Sequence, residues 1–177
     1  RMRSAGIITT KGRQALVSEL YEKFFQHTFP QVAKELGIVY TPVELVDFVI
    51  RSVNDVLESE LGKTLGCDNV HIIDPFTGTG TFITRLIQSG IIKKEKLKSK
   101  FENEIHANEI VLLAYYISAI NIESVFHEVS NQNKYYDFKG IVLTDTFQLF
   151  EKEKSKLTEL LPENSKRRSI QKQIDIN

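Results

Sequence analysis

The chain has 177 residues, enough for one domain with a substantial hydrophobic core. Hydrophobic residues make up 41% and charged residues 26%, with 23 Lys and Arg balancing 23 Asp and Glu. This excludes a disordered or fibrous chain. It also excludes a module that grips duplex nucleic acid by its own basic charge, because phosphate neutralisation supplies most of that affinity. One cysteine, Cys67, rules out an intrachain disulfide and a Cys-rich zinc site, and reads as a small residue before a strand. The histidines His27, His71, His106 and His127 share no metal-ligand spacing. No run approaches the roughly 20 apolar residues of a membrane span, and no leader-type apolar stretch opens the chain. The expectation is a cytoplasmic protein.

In chain order, residues 13–25 place Leu16, Leu20, Tyr21 and Phe24 at helical spacing, and a short helix over 30–36 stops at Gly37. Thr41-Pro42-Val43-Glu44 fits a capping box, with Thr41 as N-cap, Pro42 at the first helical position and Glu44 reaching back. Val46, Val49, Ile50, Val53, Val56 and Leu57 continue that helix along one apolar face. Residues 70–73 read as a buried strand running into Asp74-Pro75-Phe76-Thr77-Gly78-Thr79-Gly80-Thr81, after which Phe82, Ile83, Leu86 and Ile87 restart a helical period that Gly90 ends. Strand, glycine loop and helix in that order predict the first half of a Rossmann-like α/β unit. The lysine-rich stretch 93–100 reads as a solvated connection. A second strand is predicted at 105–109, an apolar helix over 110–120 and a third strand at 140–143 ending on Thr144-Asp145. Residues 151–168 predict a polar surface helix and loop broken by Pro162, and a fourth strand begins at Ile174.

Three strands thus end on Asp74 with its loop, on Glu109 and on Asp145. Ligands of open α/β sheets bind outside the carboxyl ends of the strands, so these signals converge on one crevice. The residue types suit an adenosine with a charged tail. Gly78 and Gly80 let backbone approach the ligand, the Glu109 carboxylate can accept from two ribose hydroxyls, and Asp145 can accept from an adenine amino group. The helix after Thr41 offers free N–H groups to a ligand carboxylate. Ile83 stands where a dinucleotide fingerprint needs Gly or Ala, and no Lys follows the glycines as a phosphate loop requires. A small zwitterionic tail with a sulfonium suits the loop better than a pyrophosphate does.

Leu36-Gly37-Ile38-Val39-Tyr40-Thr41-Pro42, followed by Asp74-Pro75-Phe76-Thr77-Gly78-Thr79-Gly80-Thr81-Phe82, resembles the adenine-N6 DNA methyltransferases of restriction–modification systems. The likeness is greatest to large single-chain enzymes that fuse a helicase-like region to a methylase, and it covers residues 20–147. The resemblance implies S-adenosylmethionine as cofactor. It places Tyr40, Thr41 and Pro42 at the methionine end, and wraps the methionine moiety with Asp74, Phe76, Thr77, Gly78, Gly80 and Thr81. It sets Glu109, with Ile110 beside it, on the ribose, and Asp145 on the adenine amino group. Two features depart from the family pattern. The span from the glycines to Glu109 exceeds the ~20 residues of dinucleotide folds, and Phe76-Thr77 replaces the commoner small residue and cysteine.

The family's catalytic motif, Asp/Asn/Ser-Pro-Pro-Tyr/Phe, needs adjacent prolines, and Pro30, Pro42, Pro75 and Pro162 are all isolated. The resemblance therefore implies a methyl-donor half-site in a domain over 39–177, cut before the catalytic motif and preceded by a helical segment over 1–38. No DNA methylation by the chain alone is expected. The implied partners are DNA, through regions outside this chain, and the helicase-like, nuclease and target-recognition domains of a parent protein, with no membrane. Two alternatives stay open: a methyltransferase of RNA or protein, and a non-catalytic interaction module of methyltransferase-like shape. A sheet cut short at its fourth strand is also expected to leave an exposed edge that favours self-association.

Overall fold

The computed structural model describes Lys23, His27, Thr28 and residues 41–131, 134–148 and 161–174. The helices expected over 13–25 and 30–36 fall almost wholly outside the described residues. Lys23, His27 and Thr28 are helical and exposed. Three parallel strands form the sheet in the order β1 (Ile72–Asp74), β2 (Ile105–Glu109), β3 (Ile141–Leu143). Around them lie α1 (Val43–Leu61), α2 (Thr81–Gln88), α3 (Lys94–Asn103), α4 (Leu112–Ser130) and α5 (Pro162–Lys172). A 3₁₀ turn, Thr146–Gln148, follows β3. This is the predicted α/β arrangement. β2 falls on the predicted residues, whereas β1 begins two residues late and takes in Asp74.

The strand register sorts the side chains by face. Ile72 pairs with Ile105, and Ala107 with Ile141. Strand alternation therefore puts Ile105, Ala107, Ile141 and Leu143 on one side, all within the main core cluster. Ile83, Leu86 and Ile87 of α2 and Ile122, Val125 and Phe126 of α4 pack into the same cluster. Phe101 of α3 lies 3.9 Å from Phe126 and 5.1 Å from Phe138, ring centre to ring centre, and all three are sealed from solvent. Burying rings of this size supplies a large share of a small domain's apolar stabilisation. On α1 only Val46 and Ile50 are buried; Val53 and Val56 face outward.

Four local expectations are corrected. Pro42, not Thr41, is the N-cap of α1: its carbonyl accepts from Leu45 and Val46 at 3.0 and 3.1 Å, and no side chain caps the helix. Thr41 is left one residue outside, and the capping box does not form. The lysine-rich stretch is helix α3 rather than a solvated connection. Its Leu97 and Phe101 recur at i, i+4 and drive one face inward, carrying Lys100 with them to 1% exposure. Pro162 opens α5 instead of breaking a helix, because a first-turn proline lacks only an N–H that would be unpaired anyway. Ile174 closes a turn after α5, its N–H bonding the Gln171 carbonyl at 3.2 Å, and is not a strand residue; residues 175–177 are outside those described.

The outer edge of β3 is covered. The buried Asn164 of α5 accepts from the Leu143 N–H at 2.6 Å and donates to the Leu143 carbonyl at 3.0 Å, as a neighbouring strand would. Among the described residues, the exposed edge expected of a partial sheet is therefore confined to β1. There Ile73 is half exposed beside an apolar groove lined by Val49, Val53, Phe82 and Leu86.

Candidate functional site

The carboxyl ends of the three strands bring the glycine loop, Glu109 and Asp145 together, as the strand order requires. The loop is held from several sides. Asp74 accepts from the Phe76 N–H at 3.2 Å and the Thr77 hydroxyl at 3.0 Å. The Asn108 carbonyl on β2 accepts from the Thr77 N–H at 2.9 Å. Glu109 accepts from the Gly78 N–H at 2.8 Å and from the Val111 N–H at 2.7 Å. The Thr146 hydroxyl, beyond β3, donates to the Pro75 carbonyl. The Asn121 side chain of α4 donates to the Thr79 carbonyl at 2.9 Å.

Both glycines are needed, for different reasons. Gly80 has φ +87° and lies where a Cβ would sit 3.1 Å from Ile122 and 3.3 Å from Ser118. It lets the loop close onto α4. Gly78 has φ +54°, yet a Cβ there would meet nothing within 4 Å. The space above it is open, which is what a ligand approaching bare backbone needs.

The electrostatics are lopsided. Burial pushes the Asp74 carboxyl above its ordinary range, against the hydrogen bonds from Phe76 and Thr77. Burial does the same to Glu109, against N–H groups of Val111, Gly78 and Ile110, and the nearby Asp74 charge adds to the rise. Neither carboxylate has a cationic partner among the described residues. At the same site α2 begins on Gly80 with no side-chain cap, and the Thr79 and Thr81 N–H groups have no hydrogen-bond partner among the described residues. Two unpaired carboxylates thus flank a set of unpaired amides, a surface complementary to a ligand carrying both charges.

Of the expected site residues, Asp74, Phe76, Thr77, Gly78, Gly80, Thr81, Glu109 and Asp145 all line this end of the sheet. Ile110 is 54% exposed beside Glu109. Asp145 is half-buried, and its carboxylate accepts from the Phe147 N–H at 3.0 Å. Thr41 and Pro42 precede α1, whose Asp47 clamps Arg85 of α2 through two nitrogens. Tyr40 lies outside the described residues. Sequence reasoning missed Thr146, Asn121 and Phe147, the last 86% exposed with its ring 5.6 Å from that of Phe76. Asn121 did leave a signal: a lone amide between Ile120 and Ile122, at the end of the apolar run 110–120.

A family model described as N-6 DNA Methylase matches residues 12–168. The chain belongs to the N-6 DNA methylase family. Comparison with curated proteins finds no match. Among solved structures, the chain is similar to the DrdV–DNA complex, with 39% identity and a TM-score of 0.85 over 94% of this chain and 16% of that one. It is also similar to the ATP-dependent Type ISP restriction-modification enzyme LlaBIII bound to DNA, with 45% identity and a TM-score of 0.83 over 100% of this chain and 12% of that one. A nuclease-deletion mutant of the Type ISP restriction-modification enzyme LlaGI, in complex with a DNA substrate mimic, shares 43% identity and a TM-score of 0.80, over 99% of this chain and 14% of that one. The chain therefore spans 12–16% of the length of these relatives, and its fold is the Rossmann-like methyltransferase fold of the N-6 DNA methylases.

Proposed function

We propose that this N-6 DNA methylase chain binds S-adenosylmethionine at the carboxyl ends of β1, β2 and β3, as the methyl-donor part of a restriction–modification enzyme acting on adenine N6. The observation that carries this reading is that carboxylates with no cationic partner and amides with no acceptor, among the described residues, lie together around the open Gly78 backbone. That donor set fits the cofactor's cationic sulfonium and ammonium groups on one side and its carboxylate on the other.

When bound, S-adenosylmethionine supplies an activated methyl group. The chain's own residues bind and orient it. The Thr79 and Thr81 N–H groups would hold the methionine carboxylate, and Asp74 would balance the cationic end. The free lone pairs of Glu109 would accept from ribose hydroxyls, and its bond to Gly78 would tie the ribose position to the loop. Asp145 would accept from the adenine amino group. Positioning of this kind is a large part of catalysis when two reactants must meet in line. The acceptor adenine and the Pro-Pro motif that holds it in the family are assigned to regions other than these residues. DNA reaches the site through those regions, consistent with this chain's net charge of zero.

Calorimetric titration with S-adenosylmethionine tests the proposal. We expect saturable one-to-one binding to the wild-type chain, and at least about thirtyfold weaker binding to Glu109→Ala, which loses a charge-assisted acceptor and a loop bond together. Equal affinity of the two proteins would reject the assignment of Glu109.

A further inference from the structure

We infer that Asn121 is a positioning residue for the methyl-donor loop. The inference rests on the cofactor reading above but concerns a side chain which that reading does not use. Asn121 is 4% exposed on α4, next to the fully buried Ile122. Burying an amide there is unfavourable unless it is hydrogen-bonded. Its Nδ2 reaches 42 residues back along the chain and donates to the Thr79 carbonyl at 2.9 Å.

That carbonyl sits between the two glycines, where the backbone is least constrained by side chains. Gly78 and Gly80 both hold positive φ. The Thr79 carbonyl shares one planar peptide unit with the Gly80 N–H, which donates to the Thr77 carbonyl at 2.8 Å. The Asn121 bond therefore fixes the plane on which α2 opens and anchors the carboxyl side of Thr79, leaving its N–H, in the preceding peptide unit, less room to turn away. The neighbouring turns of α4 complete the seat: Ser118 and Ile122 occupy the space into which a Cβ at Gly80 would point, so Ser118, Asn121 and Ile122 present one helix face to the loop. Glu109 holds the Gly78 N–H from β2, and Asn121 holds the Thr79 carbonyl from α4. The two bonds hold adjacent residues of the loop from two different elements.

This division of labour separates Asn121 from a residue that merely stabilises the fold. The loop cradles the amino-acid tail of the ligand, whereas adenosine is held by Glu109 and Asp145. Loss of the Asn121 bond should therefore weaken S-adenosylmethionine more than 5′-methylthioadenosine, which lacks that tail. Glu123 provides the control. It lies on the same helix and holds a different loop, accepting from the Phe138 N–H at 2.8 Å and from the Tyr135 hydroxyl.

The test measures affinities for both ligands, and amide hydrogen exchange without ligand, in wild type, Asn121→Ala and Glu123→Ala. For Asn121→Ala we expect about tenfold weaker S-adenosylmethionine binding, the equivalent of one buried hydrogen bond, with 5′-methylthioadenosine changed less than about twofold. Gly78 and Gly80 N–H groups should exchange faster in Asn121→Ala and at the wild-type rate in Glu123→Ala. Equal weakening of both ligands, or unchanged loop exchange, would overturn the inference. If the wild-type chain binds neither ligand, the cofactor reading fails, and the exchange of Gly78 and Gly80 alone decides whether Asn121 holds the loop.

Discussion

The two ends of the same three strands make opposite use of the same kinds of residue. At the amino end, charge is paired within the protein. Lys100 donates to the Val70 carbonyl at 2.7 Å and forms an ion pair with Glu104 at 2.6 Å, while the other Glu104 oxygen accepts from the Asn69 N–H at 3.1 Å. His71 and His106 lie nearly parallel and share one N–H···N bond at 3.1 Å. At the carboxyl end, Glu109 is buried and Asp74 half-buried, yet no cation meets them among the described residues, and only backbone and hydroxyl donors do. Buried ionic groups that the fold satisfies by itself belong to the scaffold. Those left short of a counter-charge point to a ligand that brings it.

The sharpest way to break this contrast is to remove the counter-charge at the amino end. Lys100→Met keeps the packed stem and leaves Glu104 and the Val70 carbonyl without their partner. We expect a loss of about 3–5 kcal/mol in urea unfolding, with ligand affinity unchanged in whatever fraction stays folded. A loss below about 1 kcal/mol would show that the pair is a surface-type bridge.

The histidine pair offers a smaller and pH-dependent effect. Burial, then the charge of His71, pushes the His106 imidazole down to about 4 from its ordinary 6.5. The folded state therefore resists the proton that the unfolded chain accepts. The stability tied to neutral His106 is complete above pH 6.5 and is lost progressively as pH falls toward 4, to about 3 kcal/mol in all. His106→Gln should flatten unfolding free energy across this window. A slope identical to wild type would place the acid sensitivity elsewhere.

At the carboxyl end the expected sign reverses, and the effect is smallest. Burial raises the Asp74 carboxyl, so its charged form is a net cost to the ligand-free fold at neutral pH. Asp74→Asn should raise the unfolding midpoint by ~2 °C or less while weakening S-adenosylmethionine binding. Stability traded for affinity is the mark of a functional carboxylate. A variant that loses stability would put Asp74 with the scaffold.

Much of this layout was legible in the sequence because strands and the glycine loop carry short, local signals. The β2 run and its terminal Glu109 need only Ile105 and Ala107 alternating with polar residues, and Asp74 through Thr81 needs only the density of small residues. What escaped depends on tertiary context. Lys100 looks like one more solvated lysine until Leu97 and Phe101 turn its face inward. Pro162 is a breaker or an opener depending on the residues before it. Thr146 and Asn121 reach the loop from 71 and 42 residues away, and no local pattern records such a pairing.

The most direct test maps the ligand onto one end of the sheet. Amide chemical shifts of the isotope-labelled chain should be followed as S-adenosylmethionine is added at neutral pH. We expect the largest saturable changes at Gly78, Thr79, Glu109 and Asp145, with Lys100, Glu104 and His106 nearly still. Changes centred on the amino end, or none in a folded chain, would contradict the assignment of the unpaired carboxylates to the cofactor.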